Sequence, residues 1–537
     1  MLAPQRIVTP ADRERGIRHL MVDAAAATAI GALNSGVVLL ALALHIGATN
    51  IEIGVLAAIP LLTQILQAPA VKLVERMRRR RLISVGSLFM ARLALPLYAA
   101  VPFIGHRDLA IGVLLGAALL HYGLNAVGAC SWNSWIRDLV PADRLGYFSS
   151  KRGLYGTAVS AVATIAAALA LDAAQGSESM SDRIFTGLYL LGFMLGLISV
   201  AALARVPEPE MELPGPSLPL RKLLWQPLTD TNFRNMLRYL ASWQFAVNLA
   251  TPFFTVYFVR VLGFSMGAVL LLTVVSQVAN IAVVRGWGRL TDRFTNKSVL
   301  SVATPIFIVC IAAMAFASEF ETSEARFAFL LLLHMLMGAA GAGVGLASSN
   351  IVMRLSPSGS ATSYMATNAL IGALAAGLAP IVGGWAADFF ARRRLEVRVE
   401  WVSPSGLSDL LGLTVTHWEF FFLLSALGGL YTLHRLSAIN EPGTVQSREV
   451  MQHIWSSARR TLRNASSVAG MRLAVSFPAG DLIRSRQGKR LILQRHFEED
   501  LNDNAPKSRV KEVGTLLGAS FEHAEPDGEM ERLLRRL

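Results

Sequence analysis

The chain has 537 residues, of which 53% are hydrophobic and only 16% charged, with a formal net charge of +13. A soluble domain carries about 25% charged residues, so this chain has too few charges to cover a water-facing surface, and lipid must cover most of it. The positive charge does not mark a nucleic-acid partner: basic residues cluster in short segments between apolar runs, and no aromatic-interleaved basic motif is present.

The N-terminus, Met1 to Leu20, is polar and rich in arginine. The apolar run after it spans roughly 27 residues, too long for the hydrophobic region of a signal peptide, and reads as a first transmembrane helix. A spanning helix needs about 20 mostly apolar residues. Twelve candidates follow, near 20–46, 51–71, 82–104, 108–136, 154–174 and 184–205, then 236–262, 266–285, 298–318, 325–352, 362–390 and 416–436. Runs this long and uniformly apolar do not suit barrel strands. Cys130 and Cys310 both lie inside apolar runs, with no CxxC spacing, which excludes a disulfide framework.

Basic residues set the orientation. Arg6, Arg13, Arg15, Arg18, the run Arg78-Arg79-Arg80-Arg81, Arg137, Arg144, Lys151 and Arg152 all fall on one side. The other side holds isolated residues such as Arg107, Arg183 and Arg326. Arg392, Arg393, Arg394 and Arg398 disagree, in a long loop of the kind that obeys the rule poorly. The majority places both termini in the cytoplasm of a multi-pass cell-membrane protein.

Residues 206–234 contain Pro207, Pro209, Pro214, Pro216 and Pro219 and read as an exposed linker between six helices and six. The expected organisation is a first half over 1–205, a cytoplasmic linker over 206–234, a second half over 235–440 and a cytoplasmic tail over 441–537. The halves look like copies. Leu73-Val74-Glu75-Arg76 matches Leu290-Thr291-Asp292-Arg293 at a shift of 217, Pro141 and Phe148 match Pro357 and Tyr364 at almost the same shift, and Asn34 pairs with Asn248 at a slightly smaller one. Duplicated six-helix halves recur in transporters.

With these features the chain resembles the major facilitator superfamily over about 20–440. The signature loop between the second and third helices of that family reads roughly G-x-L-A-D-R-x-G-R-R. Gly288-Arg289-Leu290-Thr291-Asp292-Arg293 fits it, whereas the first copy, from Val71 to Arg80, keeps the acid, the arginine and the basic end but lacks both glycines. The resemblance implies an all-α membrane protein with twelve transmembrane helices in two pseudo-symmetric halves. It also implies a cytoplasmic gate at Glu75, Arg76, Asp292 and Arg293, to which Arg137, Asp138 and Arg152 are joined here. The drug-antiporter members carry a Gly-Pro-rich string in the fifth helix. Here that helix has no proline, and a similar string, Gly377 to Gly384 with Pro380, sits in the eleventh.

By the same resemblance, the first, fourth, seventh and tenth helices line a central cavity, and each carries a polar stripe at helical spacing. The stripes are Asp23, Asn34 and His45; His121, Asn125, Gly128, Trp132 and Trp135; Gln244, Asn248, Thr251 and Thr255; and His334, Gly338, Gly341, Gly345 and Ser348. The candidate substrate residues are Asn34, His121, Asn125, Trp132, Gln244, Asn248, Thr251, Thr255 and Ser348. Such side chains also serve as glue between helices, and the glycines suit close packing. Asp23, His121 and His334 are candidates for proton coupling, with Asp23 read within a turn or so of the cytoplasmic end.

No Walker loop, HExxH or GxSxG motif is present, so neither ATP drive, an enzyme, a cofactor nor a metal is expected. The expected function is secondary active transport of a small organic solute, coupled to a proton or solute gradient, by a monomer that touches only its substrate and membrane lipids. The alternative is a non-transporting sensor or assembly factor on a transporter fold. A cavity with few charges favours a neutral, zwitterionic or amphipathic solute over a multivalent anion. In the tail, residues 447–465 read as a basic amphipathic helix for the membrane surface, with Val450, Ile454, Ala458 and Leu462 opposite Arg459, Arg460 and Arg463. Residues 498–531 read as acidic and disordered.

Overall fold

The computed structural model describes residues 4–211 apart from 7, then 220–357, 361–403 and 406–452, with 454 and 456. One compact unit spans Met1–Met451. Its first six long helices are α1 (Pro10–His45), α2 (Asn50–Met77), α3 (Arg80–Phe103), α4 (Arg107–Leu139), α5 (Ala142–Ala173) and α6 (Glu178–Leu203). After a short linker helix, Leu220–Thr229, come α7 (Thr231–Arg260), α8 (Met266–Arg293), α9 (Asn296–Glu319), α10 (Ser323–Leu355), α11 (Ala361–Phe390) and α12 (His417–Ser437). Among the described residues, ten are long and apolar enough to cross a membrane. The other two, α7 and α12, have 30 and 21 residues, which is also long enough.

Local chemistry sets the helix ends. Pro10 opens α1, where its missing N–H is no loss, and the Thr9 hydroxyl accepts the Asp12 N–H. Thr49 and Glu52 form a capping box at the start of α2. Within α1 the helix breaks between Asn34 and Val37, where Gly36 adopts φ +55°, a conformation that favours glycine. Pro60 inside α2 precedes a 3-10 turn at Thr63–Leu66, because proline removes one helical hydrogen bond.

The internal repeat is visible in the helix bounds. α4 and α10 each have 33 residues and start 216 positions apart, and so do the starts of α3 and α9. The last helix departs from that shift, since α6 ends at Leu203 and α12 at Ser437. The cause is an insertion. The loop before α12 holds an antiparallel hairpin, β1 (Arg394–Ser403) and β2 (Gly406–Thr416), with a bulge between Val399 and Glu400. Its first strand alternates Leu395, Val397 and Val399 with Glu396, Arg398 and Glu400, a strand period within an otherwise helical chain.

In the first half α1 packs on α5 and α6, and α3 on α4; in the second, α10 packs on α8 and α9, and α7 on α11 and α12. The halves meet where α2 lies against α11 and α5 against α8. The bundle therefore has a linker end, with residues 206–211, and a hairpin end. The largest buried cluster sits toward the hairpin end and draws on both halves, including Leu39, Leu42, Phe253, Tyr257, Phe421 and Phe422.

Two bounds differ from the sequence reading. The first helix starts at Pro10 rather than near residue 20, because polar residues on its first turns stay outside the apolar core without ending the helix. The compact unit runs past 441 to Met451, with Val450 fully buried. Residues 447–452 are helical, and the rest of the expected amphipathic helix, like the segment 498–531, lies outside the described residues apart from positions 454 and 456.

Candidate functional site

At the hairpin end the two halves interlock. Asn50 Nδ2 donates to Asp388 Oδ1 at 2.8 Å, joining α2 to α11. The Arg260 guanidinium at the end of α7 donates to the Ala48 carbonyl at 2.7 Å. Asp172 at the end of α5 accepts the Gly267 N–H at 2.8 Å and the Ser265 hydroxyl at 3.3 Å, placing a carboxylate on the positive start of α8. Glycines permit the contact. A Cβ at Gly54 would lie 2.3 Å from the Pro380 carbonyl oxygen, and one at Gly384 would lie 2.4 Å from that of Asn50. The Gly377–Gly384 string is thus the surface on which α11 meets α2, with Gly377 against Leu62.

Toward the linker end the halves enclose space. A first cavity of about 670 Å³ has Thr28 of α1, Trp132 and Arg137 of α4, and Arg152 and Thr157 of α5 in its wall, with Gln277 of α8 opposite. A second, of about 620 Å³, has Gln64 and Gln67 of α2, Gln244 of α7, Ser348 of α10 and Asn368 of α11. Helix α4 stands between them, since Cys130 lines the second and Trp132 the first. In the first cavity the Arg152 guanidinium stacks 4.4 Å from the centroid of the Trp132 ring.

Much of the expected polar lining faces neighbouring helices instead. On α1, Asp23 Oδ1 accepts the Ser199 hydroxyl at 2.7 Å, Asn34 donates to the Leu188 carbonyl at 3.1 Å, and His45 pairs with Asp182 at 2.7 Å. All three partners belong to α6. Asp23 is 4% exposed. It is not near the helix end, as the sequence reading had it, because the earlier start at Pro10 places it about 20 Å along the helix. On α4, His121 Nδ1 donates to the Ala91 carbonyl at 3.0 Å, and the Asn125 side-chain oxygen accepts from Arg92 at 3.4 Å. Gly128 admits Leu88 of the same helix, α3. Trp135 is fully buried and donates to the Pro207 carbonyl at 2.9 Å, so it anchors the linker.

The second half is mixed. Gln244 and Ser348 line the second cavity. Asn248 donates to the Gln244 carbonyl at 2.8 Å, Thr251 is half-buried and Thr255 buried. His334 Nδ1 donates to the Leu330 carbonyl one turn back at 2.8 Å, and its ring packs against Phe254 and Phe258. Gly338 meets the Ser276 carbonyl of α8 and Gly343 the Trp287 ring, whereas Gly345 borders the second cavity.

Two arrangements were missed. The first is Arg92, buried in the middle of α3 beside Asn125 and against Gly196 of α6. An arginine inside the apolar run 82–104 was the available signal. The second is an ion cluster in each half at the linker end. Glu208, fully buried, accepts the backbone N–H of Arg80 at 2.6 Å and of Arg81 at 3.1 Å, the first turn of α3. Arg80 also bonds Asp138, and donates to the Pro209 carbonyl at 2.8 Å. In the second half Glu441 accepts the Lys297 backbone N–H at 2.7 Å and the Asn296 amide at 3.0 Å, at the start of α9, and pairs with Arg354 at 3.2 Å. Asp138 and Arg354 stand at matching places, 216 positions apart.

The remaining expected gate residues are distributed. Glu75 is half-buried, while Arg76, Asp292 and Arg293 are exposed at the ends of α2 and α8. None of the four forms an ion pair among the described residues; Arg293 lies 5.6 Å from the Phe294 ring centroid. Arg137 and Arg152 line the first cavity.

A family model described as Major Facilitator Superfamily matches residues 24–380. The chain belongs to the Major Facilitator Superfamily. It is therefore a multi-pass membrane protein of a transporter family. A search of the curated proteins finds no match.

Solved superfamily structures share its fold. A mutant form of the nucleoside transporter NupG superposes with a TM-score of 0.60 at 12% identity, covering 79% of this chain and 100% of that one. A bacterial homologue of the iron transporter ferroportin, in an inward-facing state, gives 0.55 at 14% identity, covering 81% and 100%. A D-xylose–proton symporter gives 0.53 at 16% identity, covering 81% and 98%. At these identities the likeness speaks for the fold of this superfamily member, and its own side chains must speak for the site.

Proposed function

We propose that the chain is a secondary active transporter that moves a small organic solute across the cytoplasmic membrane by alternating access. The observation that carries this reading is an asymmetry. The halves are bonded through Asn50–Asp388, Arg260–Ala48 and Asp172–Gly267 at the hairpin end, where a smaller cavity of about 300 Å³ lies beside Asp172, while two larger cavities of about 670 and 620 Å³ open between the helices toward the linker end. A closed end opposite open space is one of the two states that rocking halves exchange. With the linker and both termini on the cytoplasmic side, this state opens to the cytoplasm. The basic residues at the linker end, Arg76, Arg78, Arg79, Arg137 and Arg354 among them, support that orientation.

The coupling site in this reading is Asp23. A buried carboxylate inside a spanning helix is costly unless it has a use. Asp23 lies one residue from Ala24, which lines the first cavity, so a proton exchanged there is felt by a solute beside it. His121 and His334 donate to backbone carbonyls and do not line either cavity, so they serve the packing of α4 on α3 and α10 on α7.

Purified protein in liposomes tests the proposal. An imposed pH gradient or an opposing gradient of the solute should drive concentrative uptake. Uptake indifferent to both sinks the coupled reading, and no movement of any solute sinks transport.

A further inference from the structure

We propose that the first cavity binds an amphipathic organic anion, its oxyanion headgroup held by Arg137 and Arg152 and its apolar body against Trp132 and Phe148. This rests on the reading of the chain as a solute carrier and names the class of solute.

Among the described residues, the wall of that cavity contains two guanidinium groups and no carboxylate. Neither arginine forms an ion pair among the described residues, whereas Arg80 and Arg354 at the same end of the bundle each have an acid. Asp23, a buried acid on α1, is absent from the wall, accepts the Ser199 hydroxyl and acts on Arg152 only through space, without an ion-pair contact. Arg152 is held in a defined position by the Trp132 ring, and its Nε is buried without a hydrogen-bond partner. A buried donor without an acceptor is costly, and a bound oxyanion supplies one. A planar guanidinium braced on an indole keeps its fork available for a carboxylate or phosphate oxygen pair.

The two threonines of the wall do not compete for that role. The hydroxyls of Thr28 and Thr157 donate to the carbonyls of Ala24 and Gly153 on their own helices. Trp132, Ile136 and Phe148 supply the apolar surface. The second cavity differs in kind: among the described residues its polar wall is built from amides and hydroxyls, with no charged side chain. The sequence pointed to a cavity of few charges. The fold gathers two cations on one wall because Arg137 lies in the last turn of α4 and Arg152 inside the first half of α5.

The test is calorimetric binding of a charge series to the purified full chain: 2-naphthoate, 2-naphthyl phosphate, 2-naphthamide and 2-naphthylmethylammonium. At least one of the two anions should bind about tenfold or more tighter than the amide, and added salt should erode the difference. Arg152→Ala should abolish the preference. Arg152→Lys, which keeps the charge and the fold but loses the fork, should retain part of it, and Arg137→Gln should weaken it. The proposal is overturned if the amide or the ammonium binds as well, if no member binds, or if Arg152→Ala keeps the preference. Uptake of the same probes separates the two readings. Anion binding without movement removes transport and leaves this site, whereas uptake of the neutral probe with no anion preference removes this site and leaves transport.

Discussion

Glu208 and Glu441 make the same contact in the two halves of the molecule. Each is a buried carboxylate a few residues beyond the last helix of its half, and each accepts from the first turn of the third helix of that half: Glu208 from two backbone N–H groups, Glu441 from one backbone N–H and the Asn296 amide. An acid on a helix N-terminus satisfies orphan donors and the helix dipole together. The basic partners differ, since Glu208 lies beside Arg80 of α3 while Glu441 pairs with Arg354 of α10.

Truncation should respect this contact. Ending the chain after Met451 removes only residues outside the compact unit, and stability and uptake should persist. Ending it before Glu441 deprives Asn296, Lys297 and Arg354 of their acceptor. A buried donor left without its acceptor costs about 1–3 kcal/mol, so the shorter chain should show a clearly lower unfolding midpoint. Equal midpoints refute the anchoring role.

The pH response of Glu208 has a definite sign. Burial pushes its carboxyl above the ordinary 4.5, although the Arg80 and Arg81 N–H groups and guanidiniums pull the other way. The folded protein therefore holds this proton where the unfolded chain has released it. The stability contributed by the group is full below pH 4.5 and falls as pH rises through the raised value. Glu208→Gln should flatten that part of the stability profile, measured by thermal unfolding across pH; an unchanged slope contradicts it.

Crowding α2 against α11 should open the hairpin end. Gly54→Ala or Gly384→Ala places a Cβ against a backbone carbonyl that cannot turn aside. Overpacking of this kind costs about 1–3 kcal/mol, charged only to the state in which these helices touch. Cysteines placed at Asn50 and Asp388 should then cross-link more slowly than in the parent, and an unchanged rate shows that the helices do not part there.

Asp23→Asn should separate exchange from drive. The amide keeps the bond to Ser199 but carries no exchangeable charge. Uptake driven by a pH gradient should disappear while solute exchange at equal concentrations continues. Ser199→Ala, which removes only a partner, should leave the pH-driven component in place. If Asp23→Asn still concentrates solute under a pH gradient, the proton is carried elsewhere.

How far the sequence reached depends on the range of the interaction. The α1 stripe of Asp23, Asn34 and His45 is one face, as its spacing says, but that face meets α6. The α4 stripe likewise meets α3 through His121, Asn125 and Gly128. Helical periodicity says which residues share a side; it says nothing about which neighbour that side touches. Gln244, Ser348 and Trp132 do reach the cavities. The hairpin is legible in the alternation of Leu395, Val397 and Val399 with Glu396, Arg398 and Glu400, although basic residues there read against the orientation rule.

The sequence by itself determined twelve helices, their division by a proline-rich linker and their duplication. Those follow from the cost of leaving backbone polar groups in lipid and from a repeat written in the chain. Only the tertiary structure decided which end of the bundle is closed, that Glu208 and Glu441 cap the third helix of each half, and that Arg137 and Arg152 share one wall. These contacts join residues from 15 to more than 300 positions apart, and nothing in local hydropathy or spacing records which of them meet.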